Sequence, residues 1–310
     1  MIRFPTNYLI LSGPDCAGKT TLYNSVHRAS GFRWNIQDRS WLSMLVYARL
    51  YGRDIRPMTQ GLWDEMTCLN NRVFLLMPPW ETVQERFQKR GDDFQDLNSL
   101  EKIYTLFDEY GDDFQHLPNV TLLDNSKLNA EDAAQSVVDS VSEKENYTLD
   151  EIAAEVLRFV SNVPNTETAK DCESTLSFTF YDDLGFEEDD PSIMSDHEEG
   201  EYYTQIKARI FEKIESELAG HNEYGEPQTG RSRRFVYSDD TCISFIQVMY
   251  RKGVMDVHTV LRSSNVAKTF IKDLRFIYHL AASIFINFGD MPEVSETRFR
   301  FNINSAHLVR

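Results

Sequence analysis

The chain has 310 residues, of which 41% are hydrophobic, and its formal net charge at pH 7 is −17. This length predicts two domains with cores of their own. The acidic charge argues against a protein that coats nucleic acid, although a local basic groove stays compatible with it. The four cysteines are scattered, with neither metal-ligand spacing nor a disulfide framework, as expected in a reducing compartment. The sequence has no run of about 18 apolar residues, and its start does not resemble a signal peptide. We therefore expect a cytoplasmic protein without a membrane partner.

The strongest motif follows a short apolar run at residues 8–11, which predicts a buried parallel strand. Gly13 and Gly18 enclose four residues and Lys19 follows directly, which is the spacing of a phosphate-binding loop. Glycine allows backbone angles that other residues avoid, so the loop amides and the next helix N-terminus turn towards phosphate oxygens. In this pattern Lys19 reaches the β- and γ-phosphates and the Thr20 hydroxyl holds Mg²⁺, which predicts ATP and Mg²⁺ as cofactors. The residues expected at the ATP phosphates are Gly13, Asp15, Gly18, Lys19, Thr20 and Thr21.

Strands and helices alternate through the rest of a first domain, residues 1–142. Apolar runs predict strands at 32–37, 72–77 and 120–124, and helical spacing predicts helices at 20–27, 42–50, 81–89, 100–110 and 130–141. This alternation predicts a doubly wound parallel sheet, the α/β fold of P-loop NTPases. Asp38 and Arg39 follow the second strand, at the edge of such a sheet where ligands bind. Arg86 and Arg90 lie four residues apart on one helix face. The alternative for each pair is an exposed surface turn or helix face.

Four features resemble the thymidylate-kinase-like branch of nucleoside monophosphate kinases, in the short form common in phage genomes, over roughly residues 7–142. They are the loop 13–21, the segment 38–43, the strand that ends at Pro78-Pro79, and the element 86–91.

The resemblance implies that Asp15 contacts the sugar 3′-hydroxyl of an acceptor nucleotide. It implies that Asp38 assists Mg²⁺ or the attacking phosphate and that Arg39 holds the acceptor phosphate. Arg86 and Arg90 would belong to a lid over the ATP phosphates. The implied chemistry is in-line phosphoryl transfer from ATP to a pyrimidine deoxynucleoside monophosphate. The base itself stays open, because Asp38 follows the loop more closely than in cellular thymidylate kinases.

The composition changes after the first domain. Residues 143–202 predict a linker with a helix at 149–160, a strand at 174–181 and a solvent-exposed acidic loop at 182–201. Residues 203–310 predict an α+β domain. Its expected helices are 203–218 and 270–288, and its expected strands are 235–237, 242–250, 254–261 and 298–304, with a hairpin turn at 251–253.

This second domain resembles a partial thymidylate synthase or deoxycytidylate hydroxymethylase. Cys242 stands at the position of the catalytic thiol, and a segment similar to the phosphate-binding Arg-Ser of that family begins at Arg262. The resemblance implies a nucleotide site in which an arginine pair reaches the phosphate across a dimer interface, Asp273 reads a cytosine-type base and His307 contacts the sugar. The residues of this candidate site are Arg233, Arg234, Cys242, Arg262, Ser263, Asp273 and His307.

The front half of the synthase has no counterpart here. We therefore expect the second domain to bind a pyrimidine nucleotide or to form a homodimer, rather than to transfer a one-carbon group from folate. For Cys242 the alternative is a small buried apolar residue.

Three functions follow from these observations. The first is a kinase of a free pyrimidine deoxynucleoside monophosphate. The second is a kinase of 5-hydroxymethylpyrimidine bases in phage DNA, which a basic groove over Arg33, Arg39, Arg49, Arg53 and Arg56 would favour. The third is an ATP-binding regulatory subunit that partners a thymidylate synthase-type enzyme. An orientation of Arg86 and Arg90 towards Lys19 would favour an enzyme.

Overall fold

The computed structural model describes residues 4–91, 95–141, 148–162, 173–182, 200–218, 234–251, 253–287 and 295–308. Contacts within the chain divide it into two compact units. The first unit comprises residues 1–144 with 162–168, and the second comprises 145–161 with 169–310. Each unit is built around one β-sheet. Within the described ranges, no helix is long and apolar enough to cross a membrane.

The first unit alternates strands and helices. Its elements are β1 (Tyr8–Ser12), α1 (Lys19–Ala29), β2 (Asn35–Gln37), α2 (Trp41–Leu50), α3 (Arg56–Met66), β3 (Asn71–Leu76), α4 (Trp80–Arg90), α5 (Leu97–Phe114), β4 (Val120–Leu123) and α6 (Ala130–Ser140). The four strands form one sheet in the order β2-β1-β3-β4, and every neighbouring pair is parallel. The parallel α/β sheet predicted from the sequence is confirmed.

Helices cover both faces of this sheet, because its central strands are apolar on both sides. On one face, Leu9 and Leu11 of β1 belong to an apolar cluster with side chains of α1 and α6. On the other face, the Leu75 side chain lies 3.3 Å from the position that a Cβ on Gly111 of α5 would take. With both faces covered, the loops after the carboxyl ends of the strands are left to form a site at one edge.

Helix α3 is absent from the elements predicted by the sequence. Pro57 in its first turn and Gly61 in its middle weaken the helical pattern. Proline is nevertheless well accommodated in a first turn, where its missing N–H would have no intrahelical partner. Gly61 is required by packing, because a Cβ at this position would lie 2.3 Å from the Trp41 ring.

The second unit is α+β, as predicted. Its elements are α7 (Leu149–Asn162), β5 (Glu173–Asp182), α8 (Gly200–Leu218), β6 (Arg234–Ser238), β7 (Ile243–Arg251), β8 (Val254–Leu261), β9 (Ser264–Asn265), α9 (Phe270–Asn287) and β10 (Glu296–His307). The sheet runs β5-β10-β8-β7-β6, and β9 pairs with β10. Strands β8 and β10 are parallel, whereas the other neighbours along this path are antiparallel. The predicted hairpin is therefore confirmed as β7 and β8.

Aromatic side chains line the buried face of the second sheet. Buried residues alternate with more exposed ones along β10, so Phe299 and Phe301 both point inwards. Their rings stack on Phe180 and Phe178 of β5, with centroids 4.9 and 5.1 Å apart. The Phe270 ring of α9 packs edge-on against Phe178 at 6.0 Å. Buried aromatic pairs of this kind hold the strands and the helix together.

The structure assigns much of the predicted linker, 143–202, to the second unit. Strand β5 pairs with β10 along its whole length, and α7 contacts α9 through an ion pair of 2.9 Å between Asp150 and Arg275. The sequence analysis separated these elements because strand periodicity does not reveal which distant strand is the partner. Most of the predicted acidic loop, 182–201, lies outside the described residues.

Candidate active site

The loop between β1 and α1 lies directly against neighbouring segments. Gly13 has a φ of 142° and Gly18 a φ of 99°, and both values are rare for residues with a side chain. A Cβ on Gly13 would lie 2.5 Å from the carbonyl oxygen of Leu76, at the end of β3. A Cβ on Gly18 would lie 3.0 Å from the Nδ2 of Asn125, which follows β4. Glycine is therefore needed at both positions.

Helix α1 starts at Lys19, and its N-cap residue, Gly18, makes no side-chain capping hydrogen bond. The N–H groups of the first helical turn have no intrahelical acceptor, so they suit an anionic ligand. A cavity of about 580 Å³ opens at this point. The predicted site residues that line it are Asp15, Gly18, Lys19, Thr20, Thr21, Asp38, Arg39, Arg86 and Arg90. Predicted residues from three separate segments of the chain thus meet around one cavity.

The Lys19 side chain lies along the loop. Its Nζ donates hydrogen bonds to the carbonyl oxygens of Gly13 and Pro14, both at 2.7 Å. The Asp15 carboxylate lies 3.9 Å from the same atom. Burial lowers the pKa of Lys19 below its ordinary value, and the Asp15 charge opposes this effect. Lys19 is thus a partly desolvated cation at the cavity wall, where an anion would favour its charged form.

Asp38 and Arg39 follow β2, whose neighbour in the sheet is β1. Because the two strands are parallel, their carboxyl ends lie at the same edge, and both residues line the loop cavity. Both charges also act on Lys19: that of Arg39 lowers its pKa and that of Asp38 raises it. Asp38 is half-buried and Arg39 is exposed, so this segment lies at the surface and also lines the cavity.

The start of α2 holds Asp38 and Arg39 in place. Ser40 caps this helix by accepting a hydrogen bond from the Ser43 N–H at 3.2 Å. Glu65 of α3 accepts a second hydrogen bond, from the Trp41 N–H at 3.1 Å. Glu65 is 7% exposed, and burial raises its pKa to about 7. Its other carboxyl oxygen, Oε1, is buried and has no hydrogen-bond partner among the described residues.

Helix α4 brings Arg86 and Arg90 to the cavity, but only Arg90 is largely exposed. The Arg86 guanidinium donates hydrogen bonds to the carbonyl oxygens of Cys16 and Ala17, at 3.4 and 3.0 Å. The helix-face alternative for Arg86 is therefore wrong, because its charged end is turned onto the loop. Arg90 lies beside the Cys16 thiol, whose pKa is raised mainly by burial. Residues 92–94, which follow this helix, lie outside the described ranges.

The sequence analysis missed a second cavity of about 280 Å³. Arg39 lines both cavities. The other residues that line the second cavity belong to α2, to the segment between α2 and α3, and to the first turn of α3. They are Ser43, Met44, Tyr47, Ala48, Tyr51, Arg53 and Met58. The Tyr47 hydroxyl donates a hydrogen bond to the Asp15 carboxylate of the loop. The aromatic pair at positions 47 and 51, one helical turn apart, was the sequence signal that could have predicted this cavity.

Asn125 is another lining residue of the loop cavity that the sequence analysis missed. It lies two residues after the end of β4 and is 8% exposed, and its Nδ2 donates a hydrogen bond of 2.9 Å to the carbonyl oxygen of Ala17. Its position after a strand of the parallel sheet is the signal that could have identified it.

Two parts of the candidate synthase-like site lie close together in the second unit. Cys242 is exposed, so its alternative as a small buried apolar residue is wrong. It stands just before β7, and its carbonyl oxygen accepts a hydrogen bond of 2.8 Å from the Arg262 N–H. Ser263 follows Arg262 between β8 and β9. Arg233 lies outside the described residues, and Arg234 begins β6.

Asp273 is buried in α9 and has two hydroxyl partners. It accepts hydrogen bonds from Tyr203 of α8 at 2.7 Å and from Ser264 of β9 at 3.3 Å. Burial raises the pKa of Asp273 to about 6, against the effect of these hydrogen bonds. His307, at the end of β10, pairs with Asn265 of β9. The partners of Asp273 are therefore supplied by the chain itself.

The five arginines of the expected basic groove have different environments. Arg39 and Arg53 line the second cavity. Arg49 stacks on the Tyr110 ring at 4.9 Å, and Arg56 forms an ion pair of 2.8 Å with Asp54. The Arg33 guanidinium lies 5.6 Å from the centre of the Trp34 ring. All five side chains are exposed, so these contacts do not decide between a free nucleotide and a DNA acceptor.

No protein-family model matches the sequence, and no curated protein matches it. Among solved structures, YorR from Bacillus subtilis in complex with phosphorylated GDP matches with 17% identity over 44% of this chain and 95% of that chain, at a TM-score of 0.38. Deoxyadenosine kinase from M. mycoides with dCMP and dCDP bound matches with 12% identity over 43% of this chain and 97% of that chain, at a TM-score of 0.34. A sugar kinase from Janibacter matches with 18% identity over 44% of this chain and 95% of that chain, at a TM-score of 0.29. Matches at these levels assign neither a substrate nor an activity to this chain.

Proposed function

We propose that the first unit is a kinase that transfers the γ-phosphoryl group of ATP, with Mg²⁺, to a pyrimidine deoxynucleoside monophosphate. One observation carries this proposal. Lys19, Asp38 and Arg39 meet at the loop cavity, and Arg39 is shared with a second cavity beside it. A transfer reaction between two nucleotides needs such a pair of adjoining sites.

The loop cavity suits ATP. Loop and helix amides with Lys19 would bind its phosphates, because amide dipoles and a cation act together on the same anionic group. Leu128, Ala130 and Ala133 also line the cavity and offer apolar surface to a base. Arg90, also in the lining, would add a second cation near the phosphates.

The cavity also fits a magnesium ion. The Thr20 hydroxyl and the Asp38 carboxylate both line it, and oxygen donors of this kind are the ligands that Mg²⁺ prefers. When bound, Mg²⁺ neutralises charge on the transferring phosphoryl group. Thr20 and Asp38 would hold the ion, while Lys19 and Arg39 would orient the two nucleotides.

The second cavity suits the acceptor. Arg39 and Arg53 provide two cations for a phosphate, which favours a monophosphate over an unphosphorylated nucleoside. Tyr47 and Tyr51 stack with ring centroids 6.3 Å apart and offer flat surfaces for a base. Asp15, held by the Tyr47 hydroxyl, lies at the boundary between the cavities and would accept a hydrogen bond from the acceptor sugar.

The reaction forms one bond and breaks one. An oxygen of the acceptor monophosphate attacks the γ-phosphorus, and the bond from the γ-phosphorus to the bridging oxygen breaks with its electron pair leaving on ADP. A doubly ionised acceptor phosphate needs no general base, so catalysis depends on positioning and on neutralising charge. Lys19, Arg39 and Arg90 supply that positive charge.

For the second unit we propose homodimerisation, with binding of a pyrimidine nucleotide as the alternative. The hydrogen bonds from Tyr203 and Ser264 to Asp273 count against the alternative, because they use within the fold the carboxylate that would read a base. Light scattering of the full chain should give twice the mass of one chain. A monomer that binds a pyrimidine nucleotide at this unit would favour the alternative.

Transfer of labelled phosphate from ATP tests the kinase proposal. The acceptor panel contains the deoxynucleoside monophosphates, their 5-hydroxymethyl forms, the nucleosides, and DNA that contains hydroxymethyluracil. We expect transfer to one pyrimidine monophosphate, loss of at least about 100-fold in Lys19→Ala, and no change in Lys102→Ala, whose side chain is exposed on α5.

Four other outcomes would contradict the proposal. Transfer to DNA alone would favour the phage DNA kinase. ATP binding without transfer, or transfer that requires an added synthase, would favour a regulatory subunit. Undiminished transfer by Lys19→Ala would exclude the loop as the phosphate site.

A further inference from the structure

Arg86 and Asn125, which both line the loop cavity, bind the same part of the phosphate loop. The Nη1 of Arg86 donates to the carbonyl oxygen of Ala17 at 3.0 Å and to the Oδ1 of Asn125 at 3.3 Å. The Nδ2 of Asn125 donates to the same Ala17 oxygen at 2.9 Å. Two side chains from different elements thus hold one carbonyl group and each other.

The geometry of a peptide bond transmits this contact to the cavity. In a trans peptide the C=O and the following N–H point in opposite directions. Because the Ala17 carbonyl points at Arg86 and Asn125, the N–H of Gly18 points the other way. Gly18 lines the loop cavity, so the contacts at the Ala17 carbonyl fix the direction of an N–H group that belongs to the cavity lining.

The close packing around Gly18 supports the same conclusion. A Cβ at this position would lie 3.0 Å from the Nδ2 of Asn125 and 3.6 Å from the Nη1 of Arg86. Asn125 is 8% exposed, so it has little freedom to adopt another rotamer. The left-handed backbone at Gly18 is therefore set by the loop and by these two neighbours together.

We propose that Arg86 and Asn125 are positioning residues that orient the loop amides for phosphate, while Arg90 contacts the nucleotide itself. This inference rests on the proposed function, and it differs from the lid role that the sequence analysis gave to Arg86. A lid residue stabilises the transferring phosphoryl group and so acts on kcat. A residue that orients amides acts on every state in which phosphate is bound, and so it acts on ADP affinity and on KM for ATP.

The experiment compares Arg86→Met, Asn125→Leu and Arg90→Met in the full chain. Calorimetry measures ADP binding, and steady-state assays give kcat and KM for ATP. We expect Arg86→Met and Asn125→Leu each to weaken ADP binding about 10- to 100-fold, with a parallel rise in KM and a smaller change in kcat. Arg90→Met should lower kcat more than it weakens ADP binding.

Two comparisons separate orientation of the loop from general damage. The double variant should bind ADP no more than about threefold more weakly than Arg86→Met, because both side chains act on one carbonyl group. Arg28→Met, an exposed arginine on α1, should bind ADP like the wild type. Asn125→Ser, a smaller change, replaces Asn125→Leu if that variant does not fold, and unfolding curves for each variant show which do.

The outcomes are distinct. ADP affinity within twofold of wild type in Arg86→Met, together with a fall in kcat, would overturn the positioning role and restore the lid role. Wild-type protein that does not bind ADP, or Lys19→Ala that binds it normally, would overturn the proposed phosphate site and this inference with it.

Discussion

The buried carboxyl group of Glu65 makes the stability of the first unit depend on pH in an unusual direction. Burial raises its pKa from the ordinary value of 4.5 to about 7. The folded state therefore binds more protons than the unfolded state between these values, and stability falls as the pH rises through this window. A pKa shift of that size lowers the free energy of unfolding by about 3 kcal/mol once the pH is above 7.

Glu65→Gln tests this effect directly. Glutamine keeps an acceptor for the Trp41 N–H but carries no charge, so it removes the cost of ionising a buried carboxyl group. Between pH 5 and pH 8 we expect the variant to gain about 2 to 3 kcal/mol of unfolding free energy relative to wild type. At pH 5 the two proteins should differ little.

The assay can follow the first unit alone. All four tryptophans, Trp34, Trp41, Trp63 and Trp80, lie in that unit, so their fluorescence during urea unfolding reports on it. Glu101→Gln, an exposed position on α5, is the matched control and should show no such dependence. A difference between Glu65→Gln and wild type that stays constant from pH 5 to pH 8 would refute the reasoning.

Three further predictions concern the loop, the acceptor cavity and the second unit. Gly13→Ala should unfold the first unit or abolish ADP binding, because its Cβ would meet the Leu76 carbonyl oxygen at 2.5 Å; normal stability and binding would contradict the described loop. Arg53→Met should raise KM for the acceptor about tenfold and leave KM for ATP unchanged; equal effects on both would contradict a separate acceptor cavity. Burial tends to raise the pKa of Asp256, but hydrogen bonds from two β10 arginines hold it below its ordinary value. Asp256→Asn should therefore cost the second unit about 2 kcal/mol at pH 7, and this cost should diminish below about pH 4, as measured by circular dichroism with tryptophan fluorescence unchanged.

Local patterns in the sequence were sufficient for most of the secondary structure. Strand β3 was predicted from the apolar run at 72–77 and β10 from the alternation at 298–304, and the burial patterns of both strands agree with these predictions. Helix α3 was not predicted, because Pro57 and Gly61 break the local helical pattern. The reason for a glycine at position 61 is the Trp41 ring packed against it, which is a tertiary contact. Periodicity records which face is buried, but not what buries it.

The sequence alone was sufficient to predict a phosphate-binding loop and to place Asp38 and Arg39 after a strand, because loop spacing and strand ends are local properties of the chain. The tertiary structure decided how distant residues meet. It paired β5 with β10 across more than a hundred residues, and it joined Asn125 and Arg86 at the Ala17 carbonyl. It also directed Tyr203 to Asp273, 70 residues away. Such contacts depend on register, packing and side-chain direction, which are set only when the whole unit folds.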